Sequence, residues 1–463
     1  GQCDGACDMV TPVWDIPDDG VLGPVLARLS CDAVLDACRA QLTRVAGAVR
    51  EGWQHARVIE ALYHPGRYVR VAYSLLRDPD TPASRVWPQG QIVYVHAPVR
   101  KPMSRRGTVL TVDGVEMEVY RFPNDRRLRG LRKFAGSDTA AAVWQGWIDK
   151  ADGAYRLDAE TLQRLLIRYV PEQKWVVRLR CVGRHRDTDA LRKRRIAVRS
   201  ASPESCATLL YRHTVLHGLS RHADAKFFVP TVVGEDVASG LLAVKWVHGI
   251  ALVEALAVRP VSEVMGGVAG MLASFHGSNV VGLPAVGVDD VVARVEAAAS
   301  DLAAACPALA GDAVALVDDL LGRCGALRPC PEAVTLHNDL HWNQVRIEDE
   351  RFAVLDLERM AIGDALIDVG NLWAQLRLLS QRDDQTVDAA TALSWSSAWL
   401  DAWARVTGRP VDRVRLGWYS ALSALELARG MMRHLRPGWR RLAAQCVAFA
   451  RAQAASADVG LPA

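Results

Sequence analysis

Apolar positions near the start of the chain recur at helical spacing. Val25, Leu29, Val34, Leu35, Cys38, Leu42 and Val45 fall on one stripe and predict a helix over residues 25–50. The Pro-, Gly- and Asp-rich stretch 1–24 before it predicts irregular chain. The period then drops to two. Residues 58–63 and 68–73, joined by His64-Pro65-Gly66-Arg67, predict a β-hairpin. Strand patterns follow at 91–96, 107–112 and 115–122, and helical ones at 128–134 and 139–149. A second hairpin is predicted within 165–180, turning at Val170-Pro171-Glu172-Gln173. Its likeness to the first leaves two readings open, a diverged internal repeat or two hairpins with a shared turn preference. Residues 194–199 predict a third strand, 203–219 a helix with proline in its first turn, and 228–233 and 241–247 the strands that close the sheet. From Ile250 the pattern is mostly helical, with segments at 261–276 and 288–306. A strand-loop-strand unit spans 334–356, and helices run from Asp368 to Ser456. Strands first and helices afterwards predict an α+β chain of two lobes, an elaborated β-rich N-terminal region and a mostly helical C-terminal lobe. The expected divisions are 1–150 (a helix plus a β-rich extension), 151–249 (a sheet plus a helix) and 250–463 (the helical part).

Composition narrows this picture only a little. With 463 residues, 50% apolar and 23% charged, the chain has the make-up of a globular protein of two or three domains. A net charge of +4 makes no whole-protein case for nucleic acid. The local cluster Arg184, Arg186, Arg192, Lys193, Arg194, Arg195 and Arg199 has no interleaved aromatics, so nucleic acid is not the expected partner. Ten scattered cysteines do not suggest a disulfide framework, and the lone Cys3/Cys7 pair lacks further ligands for a metal. Asp4, Asp8, Asp15, Asp18 and Asp19 interrupt any leader-like apolar run, and no apolar stretch reaches the roughly 18 residues of a membrane span. The expectation is a cytoplasmic protein without a membrane partner; oligomeric state is not legible.

The chemistry concentrates in one place. His337-Asn338-Asp339-Leu340-His341-Trp342-Asn343-Gln344 is followed by an apolar run ending in Asp356, then Glu358. Phosphoryl transfer needs such a set: one carboxylate to orient and deprotonate a hydroxyl, and an amide with a second carboxylate to hold the ion that neutralises the phosphates. Asp339 is the candidate base and Asp356 the candidate metal ligand, with Gln344 or Asn343 as the amide partner. Glu358, two residues on, would face the same side as Asp356 if the strand continued; a second ligand, an outer group and a solvated surface acid are its open readings. His337 is expected to support the loop backbone, and His341 and Trp342 to face the site or pack beneath it. Asp364 and Asp368 are expected to anchor loops or cap a helix beginning near Val369.

These residues carry a resemblance. The runs 337–344, Leu355-Asp356-Leu357-Glu358 and Gly363-Asp364 to Asp368-Val369-Gly370 resemble the motifs of the aminoglycoside phosphotransferase and choline kinase group, relatives of the protein kinases. The resemblance is strong over about 265–376, weaker back to 165 and thin before that. It implies a protein-kinase-like fold, ATP and Mg²⁺ as cofactors, and transfer of the γ-phosphoryl group to a small-molecule hydroxyl, with the acceptor site in the C-terminal lobe. Asn338 stands where the family usually has Gly, and Gln344 where it usually has Asn, as in bacterial maltokinases and related sugar kinases. The basic residue expected on the third strand is Arg199, not lysine, and its acidic helix partner is unclear, with Glu204 in the first turn and His213 mid-helix. No glycine-rich phosphate loop is visible, Val182-Gly183-Arg184 having a single glycine. Trp246, Val247 and His248 resemble the hinge that meets adenine. Residues 391–463 carry ten arginines against Asp401, Asp412, Glu426 and Asp458, which disfavours a polycationic acceptor. Trp342, Trp373, Trp395, Trp399, Trp403 and Trp418 add a mild hint of sugar stacking, although most of the tryptophans are expected to be core residues. The expected activity is an ATP-dependent kinase of a sugar or amino sugar; an antibiotic-modifying phosphotransferase and a catalytically dead binding protein are the alternatives.

Overall fold

A computed structural model of the chain describes residues 15–45, 52–78, 92–99, 107–151, 153–328, 332–348, 350–383 and 385–456. The Cys3/Cys7 pair, the predicted helix beyond Val45 and Gln91 lie outside them. Two compact units emerge, one of residues 1–210, 231–246 and 433–437, the other of 211–230, 247–432 and 438–463.

In the first unit, α1 (Gly23–Leu26) and α2 (Cys31–Val45) precede the predicted hairpin, β1 (His55–His64) and β2 (Tyr68–Leu76). Asp19 fixes its turn by accepting from the Gly66 amide and the Tyr63 hydroxyl, both at 2.8 Å. With β3 (Ile92–Ala97), β4 (Thr108–Val112) and β5 (Val115–Arg121) it forms an antiparallel sheet of order β1-β2-β3-β5-β4. The alternation of Val and Arg in β2 reads as a one-sided strand, yet Arg70 is buried along with its neighbours. The far face of this sheet is covered by a second one, so Tyr94, Tyr120 and Phe122 share a core with Tyr169, Trp175 and Val177. The helix predicted at 128–134 is instead a short 3₁₀ turn, Arg129–Phe134. The Asp125 carboxylate accepts from the Arg127 and Leu128 amides, and a Cβ at Gly130 would meet the Leu241 side chain at 2.4 Å, so the chain is pinned too tightly there for an α-turn.

The second sheet follows α3 (Ser137–Ala151) and is built from β6 (Tyr155–Val170), β7 (Lys174–His185) and β8 (Leu191–Ser200), with α4 (Pro203–Leu219) after them. The hairpin is longer than the predicted 165–180, because Tyr155-Arg156-Leu157-Asp158 pair with 182–185 at the end of β7, beyond a register shift between Asp158 and Gln163. A further correction concerns Phe228, predicted to close this sheet. β9 (Phe227–Phe228) belongs to the second unit, where Phe227 packs on Phe275 with ring centroids 5.5 Å apart. β10 (Val232–Asp236) and β11 (Leu241–Lys245) complete the sheet, of order β10-β11-β8-β7-β6. Its strands alternate: Trp175, Val177, Leu179, Ile196 and Val198 face the core, and the residues between them face outward.

The second unit continues with β12 (Ile250–Ala251), α5 (Leu252–Val258), α6 (Val261–His276), α7 (Val288–Ala305) and α8 (Ala310–Arg323). Gly249 precedes it because a Cβ there would fall 2.3 Å from the Ile347 carbonyl oxygen. The segment that carries Asp339 and Asp356 holds β13 (Ala333–Leu336), β14 (Val345–Glu348), β15 (Arg351–Val354) and β16 (Ala361–Asp364). β13 pairs with β16, and β12-β14-β15-β9 form a small sheet. Helices α9 (Leu366–Arg377), α10 (Ala389–Thr407), α11 (Arg413–Arg433) and α12 (Trp439–Ser456) end the described chain. α9 starts at Leu366, ahead of the predicted Asp368, because Asp364 accepts from the Leu366 amide at 2.9 Å. Trp395, Trp399, Trp403 and Trp418 are buried in this bundle and Trp342 is buried in the loop after β13, core residues as expected of most of the six; Trp373 is half-exposed.

Candidate functional site

The pairing of β13 with β16 brings the two ends of the motif together, and the loop between β13 and β14 is held from below. Asp368, fully buried in the first turn of α9, accepts from the backbone amides of His337 (2.8 Å) and Asn338 (2.7 Å) and meets His276 Nε2 at 3.0 Å. The His337 imidazole donates from Nε2 to the Leu355 carbonyl at 2.7 Å, which ties the loop to the residue before Asp356. The Leu355 amide in turn donates to the Gln344 carbonyl at 2.9 Å. Asp339 and Asp356 therefore rise from two loops bonded to each other through main chain. His341 Nδ1 accepts from the Asn343 amide at 3.2 Å, closing the 3₁₀ turn Trp342–Gln344.

Asp339 is half-exposed and lies 3.7 Å from the Arg359 guanidinium. Burial raises its carboxyl above the ordinary range, with the Arg359 and His337 charges pulling the other way and Glu426 and Asp356 adding to the rise. Arg359 also reaches Glu426 at 3.3 Å, and Glu426 is gripped by Arg294 from α7 at 3.0 and 2.5 Å. Burial pushes the Glu426 carboxyl up, but the two arginines more than offset it and hold it below the usual range. Asn338 explains its own departure from glycine: at φ +61 it keeps the left-handed backbone that Asn tolerates, and its side chain donates to the Arg359 carbonyl (3.0 Å) and accepts from Arg294 (2.9 Å).

Asp356 is half-buried at φ +60. The strand ends at Val354, and Leu357–Arg359 form a 3₁₀ turn, so the condition that placed Glu358 beside Asp356 fails and Glu358 is exposed. The two amides also differ. Asn343 is exposed, whereas Gln344 is buried with its Oε1 left without a hydrogen-bond partner. Among the described residues no group of three or more His, Cys, Asp or Glu side chains is placed to hold a metal.

Four residues were not recognised from sequence as part of the site. Arg294, Arg359 and Glu426 surround the candidate base, and Arg212 on α4 donates to the carbonyls of Leu357 (2.8 Å), Glu358 and Met360 (3.2 Å), just after Asp356. His213, noted as a stand-in for an acidic helix residue, instead meets the Pro230 carbonyl at 3.2 Å. Asp364 bonds Arg415 (2.7 Å) and the Tyr419 hydroxyl (3.1 Å), an anchor between α9 and α11. In the first unit, Arg199 stands on the outward face of β8, and the Trp246 amide donates to the Arg195 carbonyl at 3.2 Å with the Arg178 guanidinium over its ring. Val247 and His248, in the second unit, have no regular secondary structure. The basic balance of the C-terminal helices is a further correction. Arg409, Arg415, Arg429, Arg441 and Arg451 pair with Glu332, Asp364, Asp301, Asp383 and Asp312, all supplied from outside 391–463.

None of the curated proteins compared with the chain matches it. Among solved structures, a thermostable mutant of aminoglycoside phosphotransferase APH(4)-Ia is 16% identical, covering 68% of this chain and 100% of its own, with a TM-score of 0.44. A choline/ethanolamine kinase family protein from Mesorhizobium loti is also 16% identical (68% and 94% covered, TM-score 0.43). Choline kinase LicA from Streptococcus pneumoniae is 10% identical (68% and 99% covered, TM-score 0.44). The match that decides is at the level of sequence families: residues 166–409, more than half the chain and including the segment that carries Asp339 and Asp356, match the phosphotransferase enzyme family (APH), and the chain belongs to it.

Proposed function

We propose that the protein transfers the γ-phosphoryl group of ATP to a hydroxyl of a small molecule, with Mg²⁺ as the accompanying ion. The observation that carries this reading is the hydrogen-bonded tie between the loops of Asp339 and Asp356, from the His337 imidazole to the Leu355 carbonyl and from the Leu355 amide to the Gln344 carbonyl. Asp339 accepts the proton of the acceptor hydroxyl while that oxygen forms its bond to the γ-phosphorus and the bond to the bridging oxygen of ADP breaks. A carboxyl raised by burial is a better proton acceptor than an ordinary one, and Arg359 keeps it ionised. The Asp356 carboxylate and the orphaned Gln344 Oε1 suit a hard cation that takes one or two protein oxygens and completes its shell with phosphates and water; Asn343 and Glu358, both exposed, suit it less. Bound there, Mg²⁺ would neutralise charge on the phosphate oxygens. Arg199 is assigned to the phosphates, and Trp246, Val247 and His248 to adenine.

The acceptor we assign is a sugar or amino sugar of low charge. Glu426, the carboxylate whose charge raises the candidate base most, is already satisfied by Arg294 and Arg359. A polycation would have to displace one of them, leaving a guanidinium unpaired. The Gln344 variant, as in maltokinases, supports the same reading. Magnesium-dependent ATP consumption, measured with a panel of mono- and disaccharides, amino sugars and aminoglycosides, tests it: turnover is expected with a sugar, and none with any acceptor would overturn it.

A further inference from the structure

Sequence reading finds no glycine-rich phosphate loop, and the structure shows what stands in its place. β7 and β8 are antiparallel with Val176 opposite Arg199 and Trp175 opposite Ser200, so the turn between β6 and β7, Pro171-Glu172-Gln173, lies at the same end of the sheet as Arg199. The lone Gly183 is near the other end, opposite Arg192.

This turn is built rigid. The Gln173 amide closes it on the Val170 carbonyl at 3.0 Å, and Glu172 occupies the left-handed region at φ +62, where glycine is the easy residue. Glu172 is held there by residues far away in the chain. Its amide donates to Asp125 Oδ2 at 3.0 Å, and the same oxygen accepts from the Tyr169 hydroxyl at 2.9 Å. Its carboxylate meets Arg70 of β2 at 3.2 Å and Arg127 at 3.7 Å, and Arg70 also donates to the Pro171 carbonyl at 3.4 Å and to His96 Nδ1 at 3.1 Å. Arg70, Asp125 and Glu172 are all buried. The Glu172 amide thus points into the protein, and the turn cannot cradle a phosphate with that amide as a glycine-rich loop would.

What the turn offers instead is a side chain. Lys174, the first residue of β7, is two residues from Val176 and so shares the outward face with it and with Arg199. Lys174 and Arg199 are diagonal neighbours on adjacent strands, about 7–8 Å apart by sheet geometry, a separation a triphosphate can bridge. Resting on the reading of Arg199 as a phosphate ligand, we propose that Lys174 is a second nucleotide-phosphate residue, and that Arg70, Asp125 and Glu172 are positioning residues by which the N-terminal sheet holds its turn in place. This assigns the N-terminal β-rich region a role in nucleotide affinity.

The test is direct binding of Mg·ATP and of adenosine to the full chain. Lys174→Ala is expected to weaken ATP about tenfold and adenosine less than twofold, with Lys174→Arg restoring most of the loss. Glu172→Gln is expected to show the same split between ATP and adenosine, which a general loss of folding would not produce. Should Glu172→Gln fail to fold, the partly exposed Lys174 pair still decides. Equal ATP affinity in wild type and Lys174→Ala overturns the inference alone. A wild type that binds no Mg·ATP overturns it together with the kinase reading, and is told apart by that.

Discussion

In its proposed role as base, Asp339 meets two demands that pull apart: to be ionised so as to accept a proton, and to be basic enough to take one. Burial raises its carboxyl while Arg359, at 3.7 Å, favours the charge. The sign follows directly. Because the base works as carboxylate and its pKa is raised, kcat/KM should fall on acidification at a pH above that of an ordinary aspartate, and a pH–rate profile checks this. Arg359→Met removes the guanidinium that opposes the rise, so the acid limb should move to still higher pH. The same scale separates the two amides. Gln344→Ala should weaken Mg²⁺-dependent nucleotide binding by about 10-fold or more and Asn343→Ala by less than about 2-fold, measured by titration with and without the metal. The reverse order would restore Asn343 as the ligand. Gln344 and Asn343 adjoin in sequence, so no spacing argument distinguishes them; burial of one and exposure of the other does.

Elements were legible where one face of the chain is apolar. Pro203–Leu219 and Val261–His276 form as helices over the residues predicted, and the first hairpin turns at the predicted place. The reading failed where tertiary contacts outweigh local pattern: a strand end at 155–164 interrupted by a register shift, a pinned 3₁₀ turn at Arg129–Phe134, and Phe228, which pairs with Ala353 of β15 while Phe227 packs on Phe275. The site shows the same limit. Asp339, Gln344 and Asp356 sit within one short stretch and announce themselves by spacing, whereas Arg294, Glu426 and Arg212 arrive from α7, α11 and α4 with no periodic signal. Arg212 has a consequence for its element. Its guanidinium is buried and satisfies carbonyls of the turn after Asp356, so Arg212→Met leaves those acceptors bare. A loss of about 2–4 kcal/mol in unfolding free energy is expected, read from denaturant titration, together with weaker Mg·ATP binding.

Over the whole molecule, charge is better described by pairing than by count. The excess of arginine after residue 390 is answered by carboxylates from α7, α8 and the segments around 332, 364 and 383, a match that no window of sequence contains. Among the described residues no helix is long and apolar enough to cross a membrane. In the first unit, buried Glu60 meets His434 and Arg436 (3.0 and 3.4 Å) and buried Arg70 pairs with Glu172, contacts that join segments distant in sequence. Acceptor preference also belongs at this scale. With Glu426 neutralised by two arginines, kcat/KM for the best sugar should exceed that for kanamycin-type compounds, and the opposite ranking in the same ATP-consumption assay would assign an antibiotic-modifying role instead. The central claim, that Asp339 is the base of a phosphoryl transfer, is tested most directly by Asp339→Asn, which keeps shape and removes proton acceptance. With an acceptor that the wild type phosphorylates, kcat should drop by about 10²–10⁴ while Mg·ATP still binds; wild-type turnover in that variant would contradict it.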